Sequence, residues 1–250
     1  MTESIRIRVI APMKDEERLV PHFLAHYERI ADSIVVWDNE STDRTVELLR
    51  SHPKVEVRTF HTDGLDDARH LEVLLETKEE SRGRYDWCIF ADADEFLTSS
   101  RGWDIRRILK DNVDMEVLFP KGIQILARPE DLPLDWSQSL WEQRKWGYLE
   151  PFYEKALLRP ETKGWFTPGR HAVFGADPSR TKKEPRLSLI HFDRIDFDHW
   201  ASRKRRRRSS ANIQNGWGWH YDQSLEWYRS EWDKEMKKVP LLREWEELAG

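Results

Sequence analysis

Ile5-Arg-Ile-Arg-Val-Ile-Ala11, closed by Pro12, alternates and then turns apolar, which reads as a buried strand ending at Pro12. Glu16 to Ile30 then carries Leu19, Val20, Phe23, Leu24, Tyr27 and Ile30 at three-to-four spacing, one apolar helical face. Ser33-Ile-Val-Val-Trp37 is a short β-branched strand, Asp38 to Asp43 a polar turn, and Thr45–Ser51 a helix. The first 50 residues therefore read β-α-β-α. The pattern continues with a strand over Val55–Phe60, a helix over Asp66–Lys78 and a strand over Tyr85–Ala91. Such alternation predicts an α/β fold, a parallel sheet with helices on both faces. After Phe96 the pattern weakens. Val117-Leu-Phe-Pro120, Ile123–Ala127, Lys155–Arg159 and Leu187–His191 read as strands, and the chain from Asp198 onward as helical with an interruption at Gly216-Trp-Gly218. There is no internal repeat and no low-complexity linker, so one elaborated domain is the default for 250 residues.

Composition narrows the class. A hydrophobic fraction of 38% beside 35% charged residues suits a soluble globular chain and is too apolar for general disorder. The single cysteine, Cys88, can form no intramolecular disulfide, and the short polar lead passes into the first strand without a secretory apolar segment. A cytoplasmic location is the expectation. No apolar run approaches the roughly 20 residues that cross a bilayer. The net charge of −5 argues against general polyanion binding, yet Arg203-Lys-Arg-Arg-Arg-Arg208 is an unbroken cationic run. Most of it reads as a solvated basic helix. Contact with an anionic membrane surface is a second reading, at about 1 kcal/mol per charge. The 13 tryptophans crowd the second half, either as core filling between helices or as a sugar or lipid platform.

Open α/β sheets bind ligands at the carboxyl ends of their strands, and the polar clusters of this chain fall there: Asp15 and Glu16, Asp38 and Asn39, His61 and Asp63, Asp92 to Glu95. Asp92-Ala-Asp94 follows the fourth strand, and its two carboxylates are two residues apart, a spacing that can aim both at one hard divalent cation. Mg2+ or Mn2+ on such a pair would neutralise a diphosphate and act as a Lewis acid on a leaving nucleotide.

Three blocks, Ala11-Pro-Met-Lys-Asp-Glu-Glu17, Asp38-Asn-Glu-Ser-Thr-Asp-Arg-Thr45 and Phe90-Ala-Asp-Ala-Asp-Glu-Phe96, carry a resemblance. In content, order and approximate spacing, Val9 to Phe96 resembles the family 2 glycosyltransferases and their GT-A relatives, in particular the subgroup with an Asp-x-Asp-Glu-Phe motif. The likeness spans a little over a third of the chain. It implies a GT-A, Rossmann-like, mostly parallel sheet flanked by helices, with a helical Trp- and Arg-rich C-terminal part. Residues 1–197 would form the catalytic domain, 1–100 its nucleotide-binding half and 101–197 its acceptor half, with 198–250 a helical extension packed on it. The implied activity is metal-dependent, hexosyltransferase-like transfer from a nucleoside-diphosphate sugar of UDP or GDP type to a hydroxyl of a carbohydrate or glycolipid acceptor.

The same resemblance places residues. Pro12, Lys14, Asp15 and Glu16 would border the nucleotide, Asp38 would accept hydrogen bonds from the base, and Arg69 would stand near base or phosphate. Asp92 would contact ribose or metal, Asp94 would ligate the metal, and Glu95 would support them. Ser41 or Asp43 would also serve as a helix cap. Lys155-Ala-Leu-Leu-Arg-Pro160, Gly169-Arg-His171 and Leu189-Ile-His-Phe192 resemble an ordered set in that subgroup, which makes His191 the first and His171 the second choice for a further metal ligand. Lys204 or Arg205 would fold back to the diphosphate. A general base near the acceptor hydroxyl is needed for inversion. The family's usual Glu-Asp pair is not evident, and Glu150 and Glu154 are the candidates in the expected region.

Two other classes fit parts of the chain. A sugar nucleotidyltransferase shares the sheet and the carboxylates, but it wants a glycine-rich loop after the first strand, and Ala11-Pro-Met-Lys-Asp-Glu lacks those glycines. A nucleic-acid-binding module would use residues 203–208 and the tryptophans; the negative net charge and the absence of a broader basic stripe speak against it, and no nucleic-acid partner is expected.

Overall fold

The computed structural model describes residues 4–208 and 219–250, so the Gly216-Trp217-Gly218 interruption lies outside the described residues. Along the chain run β1 (Ile7–Met13), α1 (Val20–Tyr27), β2 (Ser33–Asp38), α2 (Thr45–Arg50), β3 (Val55–Thr59), α3 (Asp67–Glu80) and β4 (Trp87–Phe90). Then come β5 (Glu95–Ser99), α4 (Ile105–Lys110), β6 (Val117–Leu126), α5 (Leu140–Gln143), β7 (Trp146–Leu149) and β8 (Leu157–Leu158). The remainder is β9 (Trp165–Phe166), β10 (Val173–Phe174), β11 (Thr181–Arg194), α6 (Phe197–Arg206), α7 (Leu225–Met236), β12 (Arg243–Glu244) and α8 (Trp245–Ala249).

The expected α/β architecture is present. The first four strands lie in the order β3-β2-β1-β4, all parallel, and the sheet continues through β8, β6, β7 and β12 in antiparallel pairings. β11 runs parallel to β6 and antiparallel to β5. The inner parallel strands β1, β2 and β4 are apolar on both sides because both faces are covered, whereas the edge strand β3 alternates apolar and charged residues and is partly exposed. Ile7, Val9, Ala11, Ile34, Val36, Trp87 and Ile89 enter one buried cluster, while the intervening Ile10, Val35, Trp37, Cys88 and Phe90 enter another. Arg8 alternates with them and is buried too, stacked 4.2 Å from the Tyr85 ring.

Some boundaries differ from the sequence reading, for reasons the backbone supplies. β1 passes through Pro12 to Met13. The last bond from β1 to the β4 side is Ala91 N–H to Ile10 carbonyl, and Asn39 N–H bonds Met13 carbonyl on the β2 side, so by alternation the missing N–H of Pro12 falls where β4 has already ended. α1 is shorter than its apolar face and carries Pro21 in its first turn. The two short strands expected around Pro120 are one strand, β6, and Pro120 sits where its register with β11 shifts, between Lys183/Phe119 and Ser188/Lys121.

The C-terminal segment is mainly helical and is tied to the sheet. Arg243 and Glu244 pair with Gly147 and Trp146, and Lys121 Nζ bonds the carbonyls of Leu248 and Ala249. Trp200, Tyr228 and Trp232 form a core of their own under α6 and α7, and Trp141 and Trp245 pack 4.9 Å apart against the main core. Core filling thus accounts for these tryptophans, while Trp103, Trp165 and Trp219 are exposed. No helix among the described residues is long and apolar enough to cross a membrane.

Candidate active site

The loops after β1 and β2 clasp each other. Asp15, in left-handed backbone with φ 51°, donates its N–H to Ser41 Oγ (2.9 Å), and its carboxylate accepts the Thr42 N–H (2.7 Å). Glu16 N–H donates to Thr45 Oγ1 (2.7 Å) and Glu17 N–H to Asp43 Oδ2 (3.1 Å). The Ser-Thr-Asp block therefore holds the β1–α1 loop in place. Asp43 also accepts the Thr45 N–H (2.9 Å), although Arg44, not Asp43, stands at the boundary of α2. Asp38 accepts the Ser41 N–H (3.1 Å) on one oxygen, and its Oδ1 is buried without a hydrogen-bond partner.

The turn between β4 and β5 separates the two aspartates. Asp92, 23% exposed at its side chain, pairs with Arg170 Nη2 (2.6 Å) and Lys155 Nζ (3.3 Å), whereas Asp94 is fully buried and takes Arg203 on both oxygens. Glu95, also buried, pairs with Lys155 and accepts the Asp92 N–H (2.9 Å). Asp92 and Asp94 thus point into different partner sets instead of converging on one point, because the chain turns at Ala93–Asp94. The group within reach of Asp94 is His191 and Asp193, which are two residues apart on β11 and so share one face. The ligand atoms of Asp94, His191 and Asp193 all lie within 4.8 Å of one another.

Gln124 on β6 sets the His191 ring. Its amide nitrogen donates to the Ile125 carbonyl (2.6 Å) and the His191 carbonyl (3.1 Å), which turns its oxygen to His191 Nδ1 at 2.8 Å. Nδ1 must therefore carry a proton, and Nε2 faces Asp94 Oδ2 at 3.3 Å. Two lone pairs at that distance repel unless a proton or a cation lies between them. A histidine whose far N–H is held by a buried amide, and whose Nε2 faces a carboxylate cluster, suits a divalent cation such as Mn2+ or Mg2+.

Buried acids and bases crowd together around the cluster. Burial raises the Asp94 carboxyl, but Arg203 and His191 together outweigh it and hold Asp94 well below the usual range. Burial likewise opposes ionisation of Asp92 and Asp193; Arg170, Lys155 and Arg207 together outweigh it at Asp92, and Lys204, His191 and Arg203 together outweigh it at Asp193. For Glu16 burial prevails and its carboxyl is raised. Burial lowers Lys204 to about 8. A cleft of about 590 Å3 opens over these groups, with eight Lys or Arg side chains and five Asp or Glu in its lining. Asp94 and Glu95 lie just behind the wall, so the protein alone is close to neutral here and a divalent cation would make the site attractive to a diphosphate.

Pro12, Lys14, Glu16, Asp92, His171, His191 and Lys204 line this cleft. His171 stands apart from the cation cluster: its Nδ1 bonds the Phe152 carbonyl (2.6 Å) and its ring stacks on Phe152 at 3.6 Å. Burial lowers its imidazole to about 4. Arg69 forms a surface pair with Glu72 (2.6 Å), Arg205 is exposed, and neither lines the cleft. Glu150 and Glu154 also lie outside the lining. Glu150 caps the turn at Phe152, and Glu154 pairs with Lys183 at 2.6 Å. Sequence reasoning missed Gln124, Arg170, Asp193, Arg203 and Arg207. Asp193 was accessible by strand period from His191, and Arg203 and Arg207 by helical period from Trp200.

No protein-family model matches the chain, and no curated protein sequence matches it. Among solved structures, glucosyl-3-phosphoglycerate synthase from Mycobacterium tuberculosis, in complex with Mn2+, uridine diphosphate and glucosyl-3-phosphoglycerate, is similar at 14% identity and a TM-score of 0.45, over 81% of this chain and 77% of that one. A 4-diphosphocytidyl-2C-methyl-D-erythritol synthase from Anaerococcus prevotii is similar at 7% identity and a TM-score of 0.34, over 63% of this chain and 71% of that one.

Proposed function

We propose that the protein is a metal-dependent glycosyltransferase that moves a sugar from a nucleoside-diphosphate donor, of UDP or GDP type, to a hydroxyl of a carbohydrate or glycolipid acceptor. The observation that carries this reading is the Asp94–His191–Asp193 cluster, with the His191 ring set by Gln124, under a cleft lined by both basic and acidic side chains at the carboxyl ends of parallel strands. Asp94, Asp193 and His191 Nε2 would hold Mn2+ or Mg2+, which supplies charge neutralisation to a departing diphosphate. Lys14, Arg206 and Arg207 line the cleft beside it and would bind phosphate oxygens through charge-assisted hydrogen bonds. Asp38, with its buried and unpartnered Oδ1 next to the lining residue Asn39, would accept a hydrogen bond from the base. Asp92 would act through Arg170 and Lys155, fixing their positions at the wall.

The nucleotidyltransferase reading gains nothing from the β1–α1 loop, which is clasped by Ser41, Thr42 and Asp43 and presents no glycine cradle. The basic run is split by α6, with Arg203, Lys204, Arg206 and Arg207 on the cleft and Arg205 and Arg208 outside. It is not a single exposed cationic stripe of the kind that tracks a nucleic-acid backbone.

Calorimetric titration with UDP, GDP and CDP, with and without Mn2+, tests the reading. One nucleotide should bind in a metal-dependent way, and Asp94→Asn, still folded, should lose that binding. Wild-type protein that binds none of the three with metal present would sink the proposal.

A further inference from the structure

Arg203 is among the largest fully buried side chains of the protein, and a guanidinium buried to this extent persists only when it is fully paired. Its Nη1 and Nη2 donate to the two oxygens of Asp94, its Nε donates to Glu16 Oε1 at 2.9 Å, and Nη1 also reaches Asp193 Oδ1 at 3.5 Å. Two of these three carboxylates, Asp94 and Asp193, are the ones that lie with His191 in the geometry of a cation site. A divalent cation bound there needs an oxygen of Asp94, and Oδ2, the oxygen beside His191 Nε2, is held by Arg203. The +1 guanidinium and a +2 ion on the same carboxylate would also repel each other in a site that water does not screen.

A second observation shows where the guanidinium can go. Glu16 is 6% exposed and lines the cleft, and its Oε2 is buried without a hydrogen-bond partner, although Arg203 already holds its Oε1. A buried, unsatisfied carboxylate oxygen is costly to keep. It is satisfied if the Arg203 fork turns from Asp94 to Glu16 and makes a two-oxygen pair there.

We infer that Arg203 and a divalent cation are alternative partners of one carboxylate cluster: Arg203 neutralises Asp94 and Asp193 in the metal-free protein, and cation binding shifts it from Asp94 onto the second oxygen of Glu16. Arg203 is then a positioning residue that lowers the site's affinity for free metal and keeps the cluster folded without it. The inference rests on the metal half of the proposed function and is independent of which nucleotide or sugar the cleft takes.

Manganese binding without nucleotide, followed by electron paramagnetic resonance of free Mn2+, tests it together with thermal melting in Mn2+ and in EDTA. Arg203→Met removes the competing charge and keeps the chain length, so it should bind Mn2+ at least tenfold more tightly than wild type. Its melting temperature should rise with Mn2+ by more than that of wild type, because Asp94 has then lost its two-oxygen guanidinium pair and metal takes that place. Glu16→Gln removes the receiving carboxylate oxygen and should weaken Mn2+ binding to the wild-type Arg203 background. A folded Arg203→Met that binds Mn2+ no more tightly than wild type overturns the inference. If the methionine variant folds only with Mn2+, the inference is supported. If it does not fold even then, Arg203→Lys decides, since a folded lysine variant with wild-type Mn2+ affinity overturns the inference and a tighter one supports it. Wild type that binds Mn2+ but no nucleotide would defeat the donor reading and leave this comparison intact, whereas no Mn2+ binding by wild type or any variant defeats both.

Discussion

Replacing Gln124 by leucine should uncouple the His191 ring from the fold without touching a proposed metal ligand. Gln124 is 1% exposed and makes three hydrogen bonds, to His191 Nδ1 at 2.8 Å and to the Ile125 and His191 carbonyls at 2.6 and 3.1 Å. Leucine fills similar space but leaves the Nδ1–H without an acceptor, which costs about 1–3 kcal/mol for a buried polar group. The ring can escape that cost by moving its proton to Nε2, and it then no longer offers a lone pair to a cation. Loss of such a supporting partner lowers metal affinity by about 10–100-fold, or about 1.4–2.8 kcal/mol of binding. Gln124→Glu separates the two effects, because a carboxylate still accepts the Nδ1–H but cannot donate to the two carbonyls. The glutamate variant should therefore keep Mn2+ affinity near wild type while losing stability in urea, and the leucine variant should lose both. Paramagnetic resonance of free Mn2+ and urea unfolding in EDTA read the two quantities separately. A folded leucine variant with wild-type Mn2+ affinity would show that Gln124 does not set the ring for a cation.

Three further outcomes are expected. Asp43→Ala removes the acceptor for the Glu17 and Thr45 N–H groups and should lower the free energy of unfolding by about 1–2 kcal/mol in urea, at the weak end for a charged acceptor because the site is partly exposed. Gly122→Ala places a Cβ against the Glu150 carbonyl oxygen and 2.8 Å from the Tyr153 carbonyl carbon; it should cost about 1–3 kcal/mol and, by displacing the Tyr153 ring that lies 4.2 Å from His191, weaken Mn2+ binding in a resonance titration. His199 is neutral in the fold, lowered to about 3 mainly by burial, against about 6.5 in the unfolded chain. As pH falls below about 6.5 the unfolded chain takes up a proton that the folded chain refuses, so stability drops by about 1.4 kcal/mol per unit until pH approaches the folded value. The loss of stability between pH 7 and pH 5 should be about 2 kcal/mol smaller in His199→Leu than in wild type, measured by urea midpoints, and an unchanged difference would refute the assignment.

The parallel half of the sheet was legible because β1, β2 and β4 are near-continuous apolar runs buried on both faces, the edge strand β3 alternates, and the helices carry one apolar face, so period names each element. Asp94 and His191 each stand at or near the end of a readable strand, so the sequence could offer them as candidates. Asp193, which the structure brings beside them, falls past the strand reading that ends at His191, while β11 runs on to Arg194 and places every second residue on the same face. The Gly169-Arg170-His171 turn was recognised, but its left-handed residues, with φ 69° and 64°, decide that Arg170 meets Asp92 while His171 turns to Phe152, and no side-chain pattern encodes that choice. The two aspartates of the Asp-x-Asp motif part for the same kind of reason, a backbone turn between them.

The basic run shows what periodicity can still recover when composition misleads. Read as six adjacent charges, residues 203–208 look like a solvated patch, and any one of them seems as good a phosphate ligand as the next. Read at helical spacing, Trp200, Arg203, Lys204 and Arg207 fall at i, i+3, i+4 and i+7, one face. Trp200 is 2% exposed, so that face must point inward, and the cations that share it must meet anions in the interior or in a cleft. Burial of a guanidinium without partners is prohibitive, so an inward Arg203 requires buried carboxylates from elsewhere in the chain. Glu16, Asp94 and Asp193 come from the ends of β1, β4 and β11, and only the fold brings them together. The helix phase was therefore available to the sequence reader, whereas the identity of the three acids was not, because it depends on the approach of strands far apart in the chain.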